Sequence, residues 1–462
     1  MWAQKNLGFL YDTGKGVPKD YEQAAKWYRL AAEQGHIRAQ YYLGIMYDDG
    51  QGVPQNFKQA MKWYQLAADQ GYAAAQHSLG YMYNNGKGIQ PDHELAEKWY
   101  TLAAEQGHSD AQYNLGLMYD TGDGVPKNDK LAIKWYQMAA NQGDVDAQYE
   151  LGNKFNTGQD LLHQTVKWYT LAAEQGHISA QFRLGYIYDD VQNLPHDKKQ
   201  AVKWYKLAAE QGDVSAQYNL GLIYSNLGTI PYNHKLAVKW YESAAKQGDA
   251  SAQFRLGYMY DTGKIQPQNY SQAIKWYKMA AEQGHVSAQT NMGLLYDNGE
   301  GVPQDYKTAM KWYKLAADQG DSQAQFNLGY MYDTAQGVAR NFDQATKWYE
   351  LAALQGYRQA QLNLGNLYIF GQGLTSDYKK SVYWYTMAAD QGSKRAPVVL
   401  GIIYALGTGI EIDVKVAHMY FSISMTKENE VGEVLREILE IFMSEKQIKN
   451  AQSMTSDWLV KH

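Results

Sequence analysis

No cysteine occurs among the 462 residues, so a disulfide framework, a thiolate metal site and a thiol nucleophile are all excluded. Compartment stays open on that ground, because disulfide-free proteins occur on both sides of a membrane. Proline is scarce, with nine in all, and no apolar run approaches the roughly 18 residues that a membrane helix needs. No transmembrane segment is expected. Neither sign of charge dominates: 43 basic and 48 acidic residues leave a net −5, interspersed along the chain. That balance gives no global drive toward nucleic acid or anionic lipid. What remains is rich in Ala, Leu, Gln and Lys, the composition of a helical array.

The chain is organised by repetition. The stretch Trp27-Tyr28-Arg29-Leu30-Ala31-Ala32-Glu33-Gln34-Gly35 returns as a Trp-Tyr pair at 63, 99, 135, 168, 204, 240, 276, 312, 348 and 384, and as Tyr420-Phe421 in degenerate form. A second phrase, Leu7-Gly8 with Tyr11, returns at 43, 79, 115, 151, 184, 220, 256, 292 (as Met-Gly), 328, 364 and 400. The step is 36 residues except for one of 33, from 151 to 184. Such a period marks a solenoid, in which no repeat buries its own apolar face and each must stack on its neighbours. One continuous domain is expected, since an array grows by adding repeats. Met1 is followed at once by Trp2-Ala3-Gln4, which matches the Arg38-Ala39-Gln40 interior of a repeat. The N-terminus therefore reads as cut from, or missing, a longer chain.

Within one repeat the spacing predicts a first helix over 39–49, with Leu43, Met46 and Tyr47 on its core side. Gly44 lies inside it at a cost of about 0.5–1 kcal/mol, which implies a backbone approach too close for a Cβ. Gly50 ends the helix, Gly52 and Pro54 hold the turn, and Asn56 caps the second helix with Gln59 at N3. The same cap position holds Asp20, Asp92, Asn128, Asp197, Asn233, Asn269, Asp305, Asn341, Asp377 and Asp413, and only Leu161 breaks it. Ala60, Trp63, Tyr64 and Ala67 form the buried stripe of the second helix, which Gly71 closes.

The pattern Ala-Gln-x-x-Leu-Gly-x-x-Tyr-x-x-Gly-x-Gly-Val-Pro-x-Asp, then Ala-x-x-Trp-Tyr-x-x-Ala-Ala-x-x-Gly, resembles the Sel-one-like repeat (SLR) family, relatives of the tetratricopeptide repeat. It covers residues 1 to about 425 in twelve repeats, the first incomplete. The resemblance implies an all-α, right-handed α/α superhelical solenoid of bacterial type that binds a protein or peptide, is a monomer, uses no cofactor and has no chemistry of its own. Family members act in endoplasmic-reticulum quality control, exopolysaccharide export, envelope maintenance and host-cell entry, so the resemblance favours a secreted or periplasmic location. The cysteine-rich branch is excluded. Residues 426–462 resemble the family's helical ending. Ser444-Glu445-Lys446-Gln447 is a capping box, Ile448, Ala451, Trp458 and Leu459 share a face, and Val434, Leu435, Ile438 and Phe442 are expected to point inward.

Several motifs mimic chemistry. Asp12-Thr13-Gly14, Asp120-Thr121-Gly122 and Asp261-Thr262-Gly263 look like aspartic-protease signatures, but that dyad needs two loops meeting across a cleft, and these sit at helix ends. Asp120 to Gly124 has the flavour of a calcium loop without its closing glutamate. Ser376-Asp377-Tyr378-Lys379 fits Ser-x-x-Lys without a Lys-Thr-Gly partner. His36, His108, His177 and His285 recur one per repeat, too far apart to share a metal. No catalytic, cofactor or metal residue is assigned. Lysine precedes tryptophan at 26, 62, 98, 134, 167, 203, 239, 275, 311 and 347. Acids two turns later, such as Glu33, Asp69, Glu105 and Glu174, make a solvated face the better reading than a nucleic-acid surface.

By analogy with tetratricopeptide repeats, the first-helix residues two before, two after and five after the Leu of Leu-Gly line a concave groove. These are Tyr41, Ile45 and Asp48; Tyr113, Leu117 and Asp120; Phe182, Tyr186 and Asp189; Phe254, Tyr258 and Asp261; and Phe326, Tyr330 and Asp333. At i, i+4 and i+7 they share one face. The groove is expected to be aromatic with an acidic edge and to bind a protein or peptide, with packing between neighbouring first helices as the structural alternative. Other readings are a carbohydrate or peptidoglycan binder, because tyrosine and tryptophan suit sugar faces, and an envelope enzyme or enzyme subunit. Altered loops at Gly158 to Leu161, Val191, Asn193, Leu227, Thr229 and Ile265 cluster in repeats five to eight and are a further candidate for specificity.

Overall fold

The structure, a computed structural model, describes every residue except 157–160, 191–196, 227–232, 264–267, 372–375, 427–429 and 462. The altered loop positions Gly158, Asp160, Val191, Asn193, Leu227, Thr229 and Ile265 lie outside the described residues. Among those described are 26 helices, from Trp2–Thr13 to Glu445–Lys461, and no strand. They form a solenoid of helix hairpins: Ile37–Asp49 packs on Phe57–Ala68, which packs on the next first helix, Ala73–Asn85, and the pairing recurs from repeat to repeat. Contacts gather the chain into two compact bodies, one from Met1 to Ile223 and one made of 224–226 with the described residues after 232. Among the described residues no helix is long and apolar enough to cross a membrane.

Local signals set the helix ends. The Asn56 side chain accepts from the Gln59 amide at 3.1 Å, and Asp20 accepts from Gln23 at 3.0 Å. Leu161 makes no cap bond. Gly50 takes φ 74°, a left-handed conformation that suits a residue without Cβ. The first helix starts two residues earlier than its sequence pattern suggests, at Ile37, because His36 is its cap: the ring Nδ1 accepts from the Ala39 amide at 3.4 Å. His108, His177 and His285 do the same, as do Asp144, Asp213, Asp249 and Asp321 in other repeats.

The core is built on the tyrosine of each Trp-Tyr pair. Tyr100, Tyr136, Tyr205 and Tyr277 are buried, and a Cβ on Gly44 would come within 2.6 Å of the Tyr64 ring. That close approach explains the interior glycine of each first helix. The tryptophan links repeats: Trp99 joins a cluster formed by Tyr64 and Ala67 of the preceding repeat with Leu79 and Met82 of its own first helix.

An amide ladder accompanies this core. Buried Gln40 donates to the Ala32 carbonyl at 3.1 Å, at the end of the preceding second helix, and accepts from Gln70 at 2.8 Å, at the end of its own repeat's second helix. Gln112 does the same between Ala104 and Gln142, at 2.9 and 2.7 Å, and Gln325 between Ala317 and Gln355, at 3.1 and 2.8 Å. Each glutamine thus adds a second donor to a helix-end carbonyl that already accepts from a glycine amide (Gly35, Gly107 or Gly320), and ties two successive second helices together.

At the C-terminal end the capping box forms, with the Ser444 amide donating to Gln447 Oε1 at 2.9 Å. Met454 and Trp458 of the last helix pack on the cluster around Tyr420 and Ile423. The helix before it, Glu430–Glu440, differs from expectation. Val434, Ile438 and Phe442 are 50–78% exposed, because this helix meets its neighbour through Gly432, close against Ser424, and through Glu440, 2.7 Å from His418. Leu435, by contrast, is half-buried.

Candidate functional site

The five aspartates expected to edge the groove are all engaged. Asp48 pairs with Lys87 at 2.7 Å, Asp120 with Lys154, and Asp189 with Lys198. The buried tyrosine of the same repeat donates its hydroxyl to Asp120 at 3.5 Å from Tyr136, to Asp261 at 3.1 Å from Tyr277, and to Asp333 at 3.3 Å from Tyr349. Burial raises the carboxyls of Asp261 and Asp333 above the usual range, with the tyrosine hydrogen bond opposing it. The three Asp-Thr-Gly sequences are thereby accounted for as helix ends: Asp12 accepts from Tyr28 at 3.3 Å, and Gly14, Gly122 and Gly263 are left-handed.

The aromatic residues two before the leucine are half-buried and stack inside the repeat array. Phe254 lies 4.7 Å from the His285 ring and 5.8 Å from Tyr277, and Phe326 lies 5.0 Å from Tyr357 and 5.6 Å from Tyr349. Tyr41 meets Tyr64 and Tyr72, Tyr113 meets Tyr136, and Phe182 meets Tyr205. Ile45 is half-buried beside Tyr41. The positions two after the leucine behave differently. Tyr81, Tyr186, Tyr258 and Tyr330 are 38–46% exposed, and Leu117 and Ile402 are exposed with them. The lysine ladder of the second helices lies over tryptophan faces, with Lys203 4.5 Å from the Trp204 ring and Lys134 4.7 Å from Trp135.

The four recurrent histidines remain apart, but His77, which the repeat pattern did not single out, stacks on His108 at 4.8 Å with 17° between the ring planes. With Asp110 they bring three ligand atoms within 4.8 Å of one another. The same stack occurs without a second histidine at Tyr149–His177 and Phe254–His285, and His108 Nδ1 is used by its cap bond. Nearly parallel rings do not aim their lone pairs at one point, so the cluster is accounted for by stacking and capping. Burial lowers the His77 pKa to about 4.

A cavity of about 390 Å³ opens between the first helices Ala73–Asn85 and Ser109–Thr121. Tyr81, Asn84, Asn85, Tyr100, Asn114 and Leu117 line it. The repeat pattern could have marked this place, because Asn84 stands where other repeats carry the aspartate that binds the buried tyrosine.

The sequence profile of the Sel1 repeat matches twelve times, over residues 3–36, 37–72, 73–108, 109–144, 145–177, 178–213, 214–249, 250–285, 286–321, 322–357, 358–393 and 399–424. The chain is similar to a protective antigen present in uropathogenic Escherichia coli strains that displays an SLR fold. The two share 34% identity over 95% of this chain and 94% of that one, with a TM-score of 0.76. It is also similar to a Sel1 repeat protein from Oxalobacter formigenes, at 30% identity over 74% of this chain and 90% of that one, with a TM-score of 0.41. No curated protein matches the chain.

Proposed function

We propose, from the premise that the chain belongs to the Sel1 repeat family, that it is a scaffold holding an extended protein or peptide segment along its first helices. Members of that family are generally non-enzymatic and bind proteins. The observation that carries the reading is the uneven treatment of the aromatics. Rings two before the leucine are packed, whereas Tyr81, Tyr186, Tyr258 and Tyr330 stay at the surface at the same place in their repeats. Rigid amphipathic rings left exposed on a packed frame anchor partners at small entropic cost. Because the aspartates have lysine or tyrosine partners, recognition falls chiefly to these rings, and apolar or aromatic segments are the preferred ligands over basic ones. The likeness to the protective antigen supports a bacterial envelope or host-interaction setting.

A neutral glycan is the second reading, favoured by the uncharged polar residues around Tyr81. Arrays of peptides and of glycans separate the two. Tyr258→Ala combined with Tyr330→Ala should weaken a bound peptide at least about 30-fold, the equivalent of one hot-spot residue. Unchanged affinity would remove the exposed tyrosines from the site.

A further inference from the structure

The tyrosine at the centre of each repeat carries a hydroxyl that must find a partner, and most repeats supply one. Tyr28, Tyr136, Tyr277, Tyr313 and Tyr349 donate to aspartates, Tyr169 and Tyr385 to asparagines, and Tyr241 meets Ser225. Tyr100 is 1% exposed and its hydroxyl has no hydrogen-bond partner among the described residues, yet it lines the cavity between the third and fourth first helices. Asn84, at the position of the usual aspartate, does not reach it. Its Oδ1 is instead bound to His93 Nδ1 at 3.1 Å. The residual exposure of this ring opens into the cavity, so a ligand seated there can supply the partner that the repeat does not.

The remaining wall states what that ligand is. Asn84 Oδ1 takes one bond from His93, which leaves both amide N–H groups and a second Oδ1 lone pair available. Asn114 gives one N–H to His77 Nε2 at 3.0 Å, which leaves its Oδ1 to accept and a second N–H to donate. Burial pushes the Tyr100 hydroxyl's pKa up, so it keeps its proton and can donate. No lysine or arginine lines the cavity, and its one acid, Asp123, lies 3.9 Å from the His93 ring. A carboxylate would find no lysine or arginine there, and an ammonium, having no acceptor, would leave the Tyr100 hydroxyl and the Asn84 amide unmatched. A planar group with one acceptor and one donor edge fits, with Tyr81 and Leu117 covering the aliphatic stem.

We propose that this cavity is a specificity pocket for an uncharged carboxamide, the side chain of a glutamine or asparagine in the segment bound along the first helices. The carboxamide oxygen accepts from Tyr100 and Asn84, and its NH2 donates to Asn114. The inference rests on the peptide-scaffold reading above and adds which residue the peptide must carry and where it is read.

The test uses the full chain and an array of 15-residue peptides, with each binder re-synthesised with every position varied. One position should require Gln or Asn, and Gln→Glu or Gln→Ala there should weaken binding at least tenfold. Tyr100→Phe should remove that preference, leaving the Ala-substituted peptide unaffected, while the melting temperature holds or rises because an unmatched hydroxyl is lost. Asn84→Asp, which restores the residue used at Asp120, should also abolish it. If peptides bind in a manner sensitive to Tyr186→Ala, an exposed first-helix tyrosine of the same body, but show no carboxamide position, the pocket assignment fails and the scaffold reading survives. If no peptide binds, both fail. A neutral oligosaccharide bound in a Tyr100-dependent way would overturn the carboxamide in favour of a sugar.

Discussion

Aspartate at the C-terminal end of a helix faces the negative end of the macrodipole, at a cost of roughly 0.3–1 kcal/mol. Here the cost is offset because a buried tyrosine hydroxyl needs an acceptor. Asp333→Leu should therefore destabilise by about 1–3 kcal/mol in urea titration, the penalty for stranding the Tyr349 hydroxyl, although Asn363 still donates to it at 3.0 Å. Ala335 shows the converse. It is the one described non-glycine residue at positive φ, 63°, so Ala335→Gly should raise stability by up to about 1 kcal/mol. A pH effect belongs to this scale as well. Burial holds His285 below its usual pKa, with Arg255 acting the same way and its backbone hydrogen bond and Asp249 opposing. The unfolded chain binds the proton more readily, so stability should fall as pH drops from the unfolded value near 6.5. His285→Asp, the residue that does the same capping job at Asp249 and Asp321, should make melting temperature fall less steeply with pH between about 7 and 5.5, with the remaining slope left to His36, His77 and His108, which burial lowers as well. The broken dipole rule was legible in the sequence. Its purpose was not, because the acceptor's partner lies 16 residues away on the other helix.

Between helices, the hairpins, second-helix caps and interior glycines could all be read from period and spacing, because each depends on residues close in sequence. The amide ladder could not, even though Ala-Gln and Gln-Gly recur throughout, since a glutamine's spacing says nothing about what it bonds. Gln112→Leu removes two hydrogen bonds at a buried site and leaves the Gln142 amide without its acceptor, although Gly107 still donates to the Ala104 carbonyl, so denaturation should show a loss of about 1–3 kcal/mol, beyond that of a more exposed glutamine such as Gln65. The penultimate helix departs from its apolar pattern for a physical reason: its small residue, Gly432, allows the closest approach and turns the larger Val434 and Ile438 outward. Sealing is carried by Glu445–Lys461 through Met454 and Trp458. Removing 445–462 should lower both melting temperature and solubility, as the apolar face around Tyr420 and Ile423 meets water.

At the scale of the whole molecule, a period repeated twelve times states the architecture but says nothing of what it carries. Most of the residues expected to form the groove serve the frame. Phe254 and Phe326 stack within it, and the aspartates are held by Lys87, Lys154, Lys198, Tyr277 and Tyr349. A sequence pattern cannot separate rings that pack from rings that face outward when both recur at helical spacing. Of the exposed tyrosines, Tyr258 and Tyr330 belong to the second body, and the proposal is that a peptide lies along their first helices. The most direct measurement is the affinity of an array-selected peptide, by calorimetry, for the wild type, for Tyr258→Ala with Tyr330→Ala, and for Leu315→Ala with Leu351→Ala on the second helices. Binding should weaken at least about 30-fold for the tyrosine pair and change less than about threefold for the leucine pair. Loss confined to the leucine pair would contradict the proposal and move the site to the second helices.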